Sequence, residues 1–290
     1  MTWPVDDLTT VNMDADSDSP LLSRSEIIAA VNKIKSMLAP TNGTNIGIGT
    51  NSMQSITTGA NNTAFGNGAF QAGTTGLNNS AFGYQSLNVN VSGIGNCAFG
   101  YQTLFVNNGG GQNSAFGVAA LTGNTNGYRN SAFGNVAGTI TTTGNNVTSL
   151  GYNANPPTAT SGDTITLGDA NVISLRCNVT SITALSDRRD KKNIVDLPVG
   201  LEFVNLLRPV KFDWARRDGT MQGITEAGFI AQDLDAAQVG AEYLGLVLHD
   251  NPEKLEASPS KLLPILVKAI QELSAKNASL EARLTDAGIA

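Results

Sequence analysis

Apolar residues between positions 43 and 172 recur with a period that belongs to neither an amphipathic helix nor a simple alternating strand. The words NTAFGNGAF (62–70), NSAFGYQSL (79–87), NCAFGYQTL (96–104), NSAFGVAAL (113–121) and NSAFGNVAG (130–138) are copies of one unit. Their phenylalanines stand at 65, 82, 99, 116 and 133, a spacing of 17 each time. The same ruler reaches Ile48 before them and Leu150 and Leu167 after them, and glycine follows all eight positions. A fixed period of this length predicts stacked repeats. Each copy becomes one coil of a parallel β-solenoid of about eight 17-residue coils, its large apolar residue stacked on equivalents above and below. The small residue before that position (Ala, Ser or Thr) faces the other way, as strand alternation requires. Glycine after it permits a sharp bend or a close backbone approach. Asn or Thr opening each word, with Gly, Asn and Thr between words, is turn chemistry.

The flanks follow other periods. SRSE (23–26) reads as a capping box, Ser23 with Glu26, opening a helix whose apolar positions Ile27, Val31, Ile34 and Leu38 make a short coiled-coil seam that Pro40 stops. LEFVNLL (201–207) predicts a helix, PVKFDW (209–214) an alternating strand, and AGFIAQDLDAAQ (227–238) a strand running into a helix. In the last segment Leu263, Ile270, Asn277 and Leu284 form one heptad row and Leu266, Leu273 and Leu280 the other. A polar Asn277 in such a seam fixes register, and a parallel homo-oligomer is the expected product. Three parts result: an N-terminal attachment segment over 1–42, a solenoid shaft over 43–185 and an α+β domain over 186–290.

Charge sharpens the last boundary. Between residues 41 and 180 the charged side chains are Arg129, Asp163, Asp169 and Arg176 alone, and then six arrive consecutively from Asp187 to Lys192. A net charge of -6 offers no basic footprint for nucleic acid. No basic-then-apolar leader opens the chain and no run of about 18 apolar residues occurs, so neither a Sec signal nor a membrane span is expected. Two cysteines, Cys97 and Cys177, make no disulfide framework; Cys97 fills a slot held elsewhere by Ser or Thr. His249 is the sole histidine. A His-containing metal cluster is therefore ruled out, no metal or cofactor is expected, and nucleophilic catalysis needs another base. Tyr84, Tyr101 and Tyr152 each follow the glycine of a coil, as packing residues or as platforms for sugar rings. The repeats carry no carboxylate pair suited to glycoside hydrolysis, so a glycan-degrading activity is the weaker reading.

The repeat word NSAFGYQSL resembles the SxAIG coils of trimeric adhesin heads and repeats in phage tail fibres, which implies a trimeric shaft. Further on, SDRRDKKNI (186–194), GFIAQDL (228–234) and LLPILVKAIQEL (262–273) resemble, in order, three signatures of the C-terminal intramolecular chaperone of endosialidases and phage tail fibres, found also in myelin regulatory factor. The resemblance implies a domain that trimerises, templates folding of the fibre ahead of it and then cuts itself off before its serine. The matching serine and lysine are Ser186 and Lys191, with the cut between Leu185 and Ser186; the only enzyme activity implied is this single-turnover self-cleavage. Like charges lower an amine's pKa, and Arg188, Arg189 and Lys192 could press on Lys191 in that way while Asp187 and Asp190 oppose them. Asp187 belongs to the motif, and its simplest role is a cap or local hydrogen-bond acceptor. The implied protein is a homotrimeric receptor-binding fibre of a virion, made in the host cytoplasm. Its N-terminus would join a phage tail or baseplate protein and its shaft a host surface glycan or protein. A cellular trimeric surface adhesin is the alternative.

Overall fold

The computed structural model describes residue 28 and residues 45–172, 174–176, 184–217, 219 and 222–289. The expected helix of residues 23–39 and Cys177 lie outside them, apart from Ile28. The chain divides into two compact units, Met1–Leu167 and Gly168–Ala290.

The first unit is a parallel β-solenoid. Eight three-residue strands, β1 (Ile46–Ile48), β2 (Thr63–Phe65), β3 (Ser80–Phe82), β4 (Cys97–Phe99), β5 (Ser114–Phe116), β6 (Ser131–Phe133), β7 (Thr148–Leu150) and β8 (Ile165–Leu167), form one sheet in chain order. Every pairing is parallel and offset by one repeat, so Phe65 meets Phe82 and Phe82 meets Phe99. The middle residue of each repeat strand points inward: Ala64, Ala81, Ala98, Ala115 and Ala132 are fully buried. The phenylalanines point out and stack on one another, with centroids 4.5–5.2 Å apart and rings within 7° of parallel. That separation is the inter-strand spacing of a sheet, so the ladder follows from the register.

Glycine after each phenylalanine is required twice over. Gly100 has φ 139°, and a Cβ there would sit 2.4 Å from the carbonyl oxygen of Gly117 in the next coil. The same approach repeats from Gly49 to Gly134. Only a residue without Cβ can occupy this column.

The Asn that opens each word does more than turn the chain. Asn45, Asn62, Asn79, Asn96, Asn113 and Asn130 are buried in the solenoid. The Asn62 backbone N–H and its amide both donate to Asn45 Oδ1, at 2.9 and 3.1 Å, while the same amide donates to the Gly76 carbonyl at 2.8 Å. Asn79 and Asn96 repeat the arrangement one coil on, each accepting from its successor. A second amide column runs through Asn90, Asn107 and Asn124 with steps of 2.6 Å. Translation by one coil thus satisfies amides that would be costly to bury singly. Both columns end in one stretch: Thr141 and Val147 take the next Asn slots, and the buried hydroxyls of Thr141 and Ser149 have no partner.

A third column, Phe70, Leu87, Leu104 and Leu121, fills the interior from backbone with φ of 49–51°. Bulky side chains are rare there, and complete burial offsets the strain.

The C-terminal unit is built differently. A helical turn, α1 (Leu201–Val204), precedes an antiparallel pair, β9 (Val210–Asp213) and β10 (Thr225–Gly228). Then come α2 (Ala231–Ala237), a second pair, β11 (Val247–Leu248) with β12 (Glu256–Ala257), and a 24-residue helix, α3 (Leu263–Asp286). The helix expected over 201–207 is α-helical for one turn, after which Leu206 and Leu207 close tighter i to i−3 bonds ahead of Pro209. Phe203, Leu234, Leu246, Val247, Leu262 and Ile265 form the core. Glu272 of α3 accepts the Leu201 N–H at 2.8 Å and caps α1. A Cβ on Gly200 would meet that carboxylate, the movable end of a long side chain, so a larger residue there would displace the cap. The heptad rows lie on another face: Leu263, Leu266, Ile270, Leu273, Leu280 and Leu284 are all exposed.

Candidate functional site

Residues 184–196 are exposed without exception, and Leu185 is 102% exposed, so the backbone on either side of the Leu185–Ser186 bond is open to solvent. The chain leaves Ser186 in extended geometry, with Asp187 at φ −67° and ψ 137°, then winds one short turn, a 3-10 helix over Arg188–Asp190. Asp190 and Lys191 close that turn by donating to the carbonyls of Asp187 and Arg188, both at 3.2 Å. Lys191 emerges extended again, and its Nζ comes back to donate to Ser186 Oγ at 2.5 Å. The candidate nucleophile and candidate base, five residues apart in sequence, are in direct contact.

Asp187 caps the turn. Its Oδ1 accepts the Arg189 N–H at 2.8 Å, and both carboxylate oxygens take bonds from the Arg189 guanidinium, the shortest 2.6 Å from Nη2. The Arg189 side chain, then its backbone N–H, hold the Asp187 carboxyl below its ordinary pKa. Arg189 is therefore not a free cation pressing on Lys191: its charge is engaged by Asp187, leaving Arg188 and Lys192 as the nearby cations in sequence. The repeated basic residues disguised this pairing, whose only sequence signal was an Asp two residues before an Arg at a helix start.

Other candidates take quieter places. His249 Nε2 lies 3.1 Å from Asp235 Oδ2, on an exposed part of the C-terminal unit. Cys97 is half-buried and burial pushes its thiol pKa up, which disfavours the reactive thiolate and fits a small filler. Tyr84 and Tyr101 stack at 5.3 Å and 13°, so each ring covers one face of the other while both residues remain exposed. Tyr152 is exposed, and the residue one repeat before it is Asn135, which is no aromatic partner. Among the described residues no group of three or more His, Cys, Asp or Glu could hold a metal ion, and no helix is long and apolar enough to cross a membrane.

Residues 186–243 match the family model for Peptidase S74, chaperone of endosialidase, and the match opens on Ser186 itself. No curated protein and no solved structure matches the chain. The family match and the solenoid together support a β-helical region followed by an intramolecular-chaperone segment.

Proposed function

We propose that the chain is a homotrimeric fibre protein of the tail-fibre or tailspike type, whose C-terminal residues 186–290 assist folding of the solenoid and then remove themselves by cutting between Leu185 and Ser186. The observation that carries the cleavage is the 2.5 Å contact of Lys191 Nζ with Ser186 Oγ beside a fully exposed Leu185. Lys191, as the free amine, takes the hydroxyl proton while Ser186 Oγ attacks the Leu185 carbonyl carbon. The C–N bond breaks, the proton passes to the departing Ser186 nitrogen, and an ester joins Leu185 to Ser186 Oγ. Water then opens the ester, leaving a carboxylate on Leu185 and a free amino terminus on Ser186. No histidine is needed, and no external substrate is implied.

Self-association is supported by two surfaces that one chain leaves uncovered. The outward ladder from Ile48 to Leu167 puts an apolar residue on each of eight strands in a region almost without charge, and the two heptad rows of α3 are exposed. Phe65, Phe133, Leu150 and Leu167 of this ladder are exposed and the other four are half-buried, an apolar stripe that a second copy can cover. The mature shaft, joined through its N-terminus to a tail or baseplate protein, would bind a host surface glycan or protein through its uncharged turns. Such binding responds weakly to salt.

Intact mass and N-terminal sequencing of the purified product test the cleavage. Wild type should yield 1–185 and 186–290, with Ser at the new terminus; Ser186→Ala and Lys191→Ala should yield the uncut chain. Equal cutting of wild type and Ser186→Ala would overturn the mechanism and point to a host protease.

A further inference from the structure

Asp187 has no chemical step to perform in the cleavage proposed above, yet its carboxylate takes both the backbone N–H and the guanidinium of Arg189. Five residues in extended conformation would separate the Cα atoms of Ser186 and Lys191 by roughly 16 Å, well beyond a lysine side chain that reaches roughly 6 Å. The two side chains meet only because residues 188–190 turn. That turn buries no residue, and its two closing backbone bonds, both at 3.2 Å, are long. A single exposed turn of this kind is unstable by itself. What distinguishes it is the Asp187 carboxylate, which takes the orphan N–H of Arg189 and grips the same residue's guanidinium with both oxygens.

We propose that Asp187 is a positioning residue for self-cleavage: its carboxylate clamps the 188–190 turn and so delivers Lys191 to Ser186. The proposal rests on the Ser186–Lys191 assignment and adds a separate determinant to it. An N-cap acceptor is the essential part, because Asn and Ser cap about as well as Asp while Ala does not. The grip on Arg189 is secondary, since an exposed ion pair adds little.

Full-length chains made by cell-free synthesis, with the cut followed by gel over time, test it. Asp187→Ala should slow the appearance of 186–290 about three- to tenfold, the fall in capped turn expected when a cap is lost. Asp187→Asn and Asp187→Ser should stay within about twofold of wild type, and Arg189→Ala closer still. Asp187→Ala and Asp187→Asn remove the same negative charge, so any move of the midpoint of the rate against pH should be common to both, whereas the rate on the plateau should fall in Asp187→Ala alone. Thermal unfolding of the C-terminal unit should not move in any variant. Wild-type speed in Asp187→Ala, with Ser186→Ala uncut, would overturn the clamp and leave the cleavage mechanism standing. Equal slowing by Ala, Asn and Ser would overturn it too. Cutting of Ser186→Ala would remove both.

Discussion

In the solenoid each three-residue strand meets the next in strict register, and most interior amides find a partner 17 residues away. In the C-terminal unit the two sheets have two strands each, the core is six fully buried residues with a ring of half-buried ones, and residues 273–286 of α3 are all exposed. The solenoid is complete along its axis and bare along one side; the C-terminal unit is complete only around α1, α2 and the start of α3. The first therefore depends on a correct beginning: each Asn donates to the coil before it, and its Oδ1 has no donor until the next coil forms. Long-range parallel pairing of this kind folds slowly. The second closes through contacts such as that of Leu201 with Glu272, 71 residues apart, and leaves the rest of its long helix open to other copies.

Variants in the uncut Ser186→Ala background can break that comparison. Gly100→Ala should be the most damaging, because it needs a positive φ and places Cβ against the Gly117 carbonyl: about 3–5 kcal/mol lost from the solenoid, or insoluble chain. The unfolding transition of the C-terminal unit should stay in place, and a common shift of both transitions would mean that the units are one cooperative body. Asn96→Ala deprives the Asn113 N–H and amide of their acceptor and the Gly110 carbonyl of a donor, at about 2–4 kcal/mol by chemical denaturation. A loss under about 0.5 kcal/mol would reduce the ladder to turn chemistry.

On the other side, Ile265→Ala and Ile270→Ser separate the two faces of α3. Ile265 is buried against α1 and its loss should cost about 2–4 kcal/mol within the C-terminal unit. Ile270 is exposed, so its replacement should leave that unit's own stability within about 0.5 kcal/mol while lowering the trimeric mass seen by light scattering. Equal oligomeric mass in both would remove the heptad face from assembly. The smallest effect is acid sensitivity. Asp235 is held below its ordinary pKa by its hydrogen bond to His249, then by Gln238. A depressed folded pKa contributes stability above the unfolded value, near 3.9, and loses it as pH falls through the folded one. His249→Gln should move the acid unfolding of the C-terminal unit slightly upward in pH, with no change in the solenoid.

The period, strand positions and glycine column were legible because a 17-residue ruler carries them even where Phe gives way to Leu. The role of Asn62 and its equivalents was not: one coil read alone offers an Asn only a turn or an unpaired burial, and the favourable third choice exists only after stacking. Its signal was constancy, since Asn holds positions 62, 79, 96, 113 and 130 while the turn residues beside it vary. Leu87 and Leu104 were hidden for a related reason, being bulky residues in backbone that local preference gives to Gly or Asn. Around Ser186, chemistry alone left a serine near basic residues; the motif resemblance singled out Lys191, and the Asp187 clamp needed coordinates. The heptad rows were plain, but Ile265 and Ala269, which α3 spends on its own unit together with Leu262 just ahead of it, were not separated from them.

The most direct test of the central claim is refolding after complete denaturation. The uncut Ser186→Ala chain, diluted from guanidinium, should recover trimeric mass and the β-sheet spectrum of the solenoid. The matured 1–185 product, stable before denaturation, should under the same conditions give misassembled or aggregated chains. Recovery of a native trimer by 1–185 alone, at the rate and yield of the uncut chain, would contradict a folding role for residues 186–290.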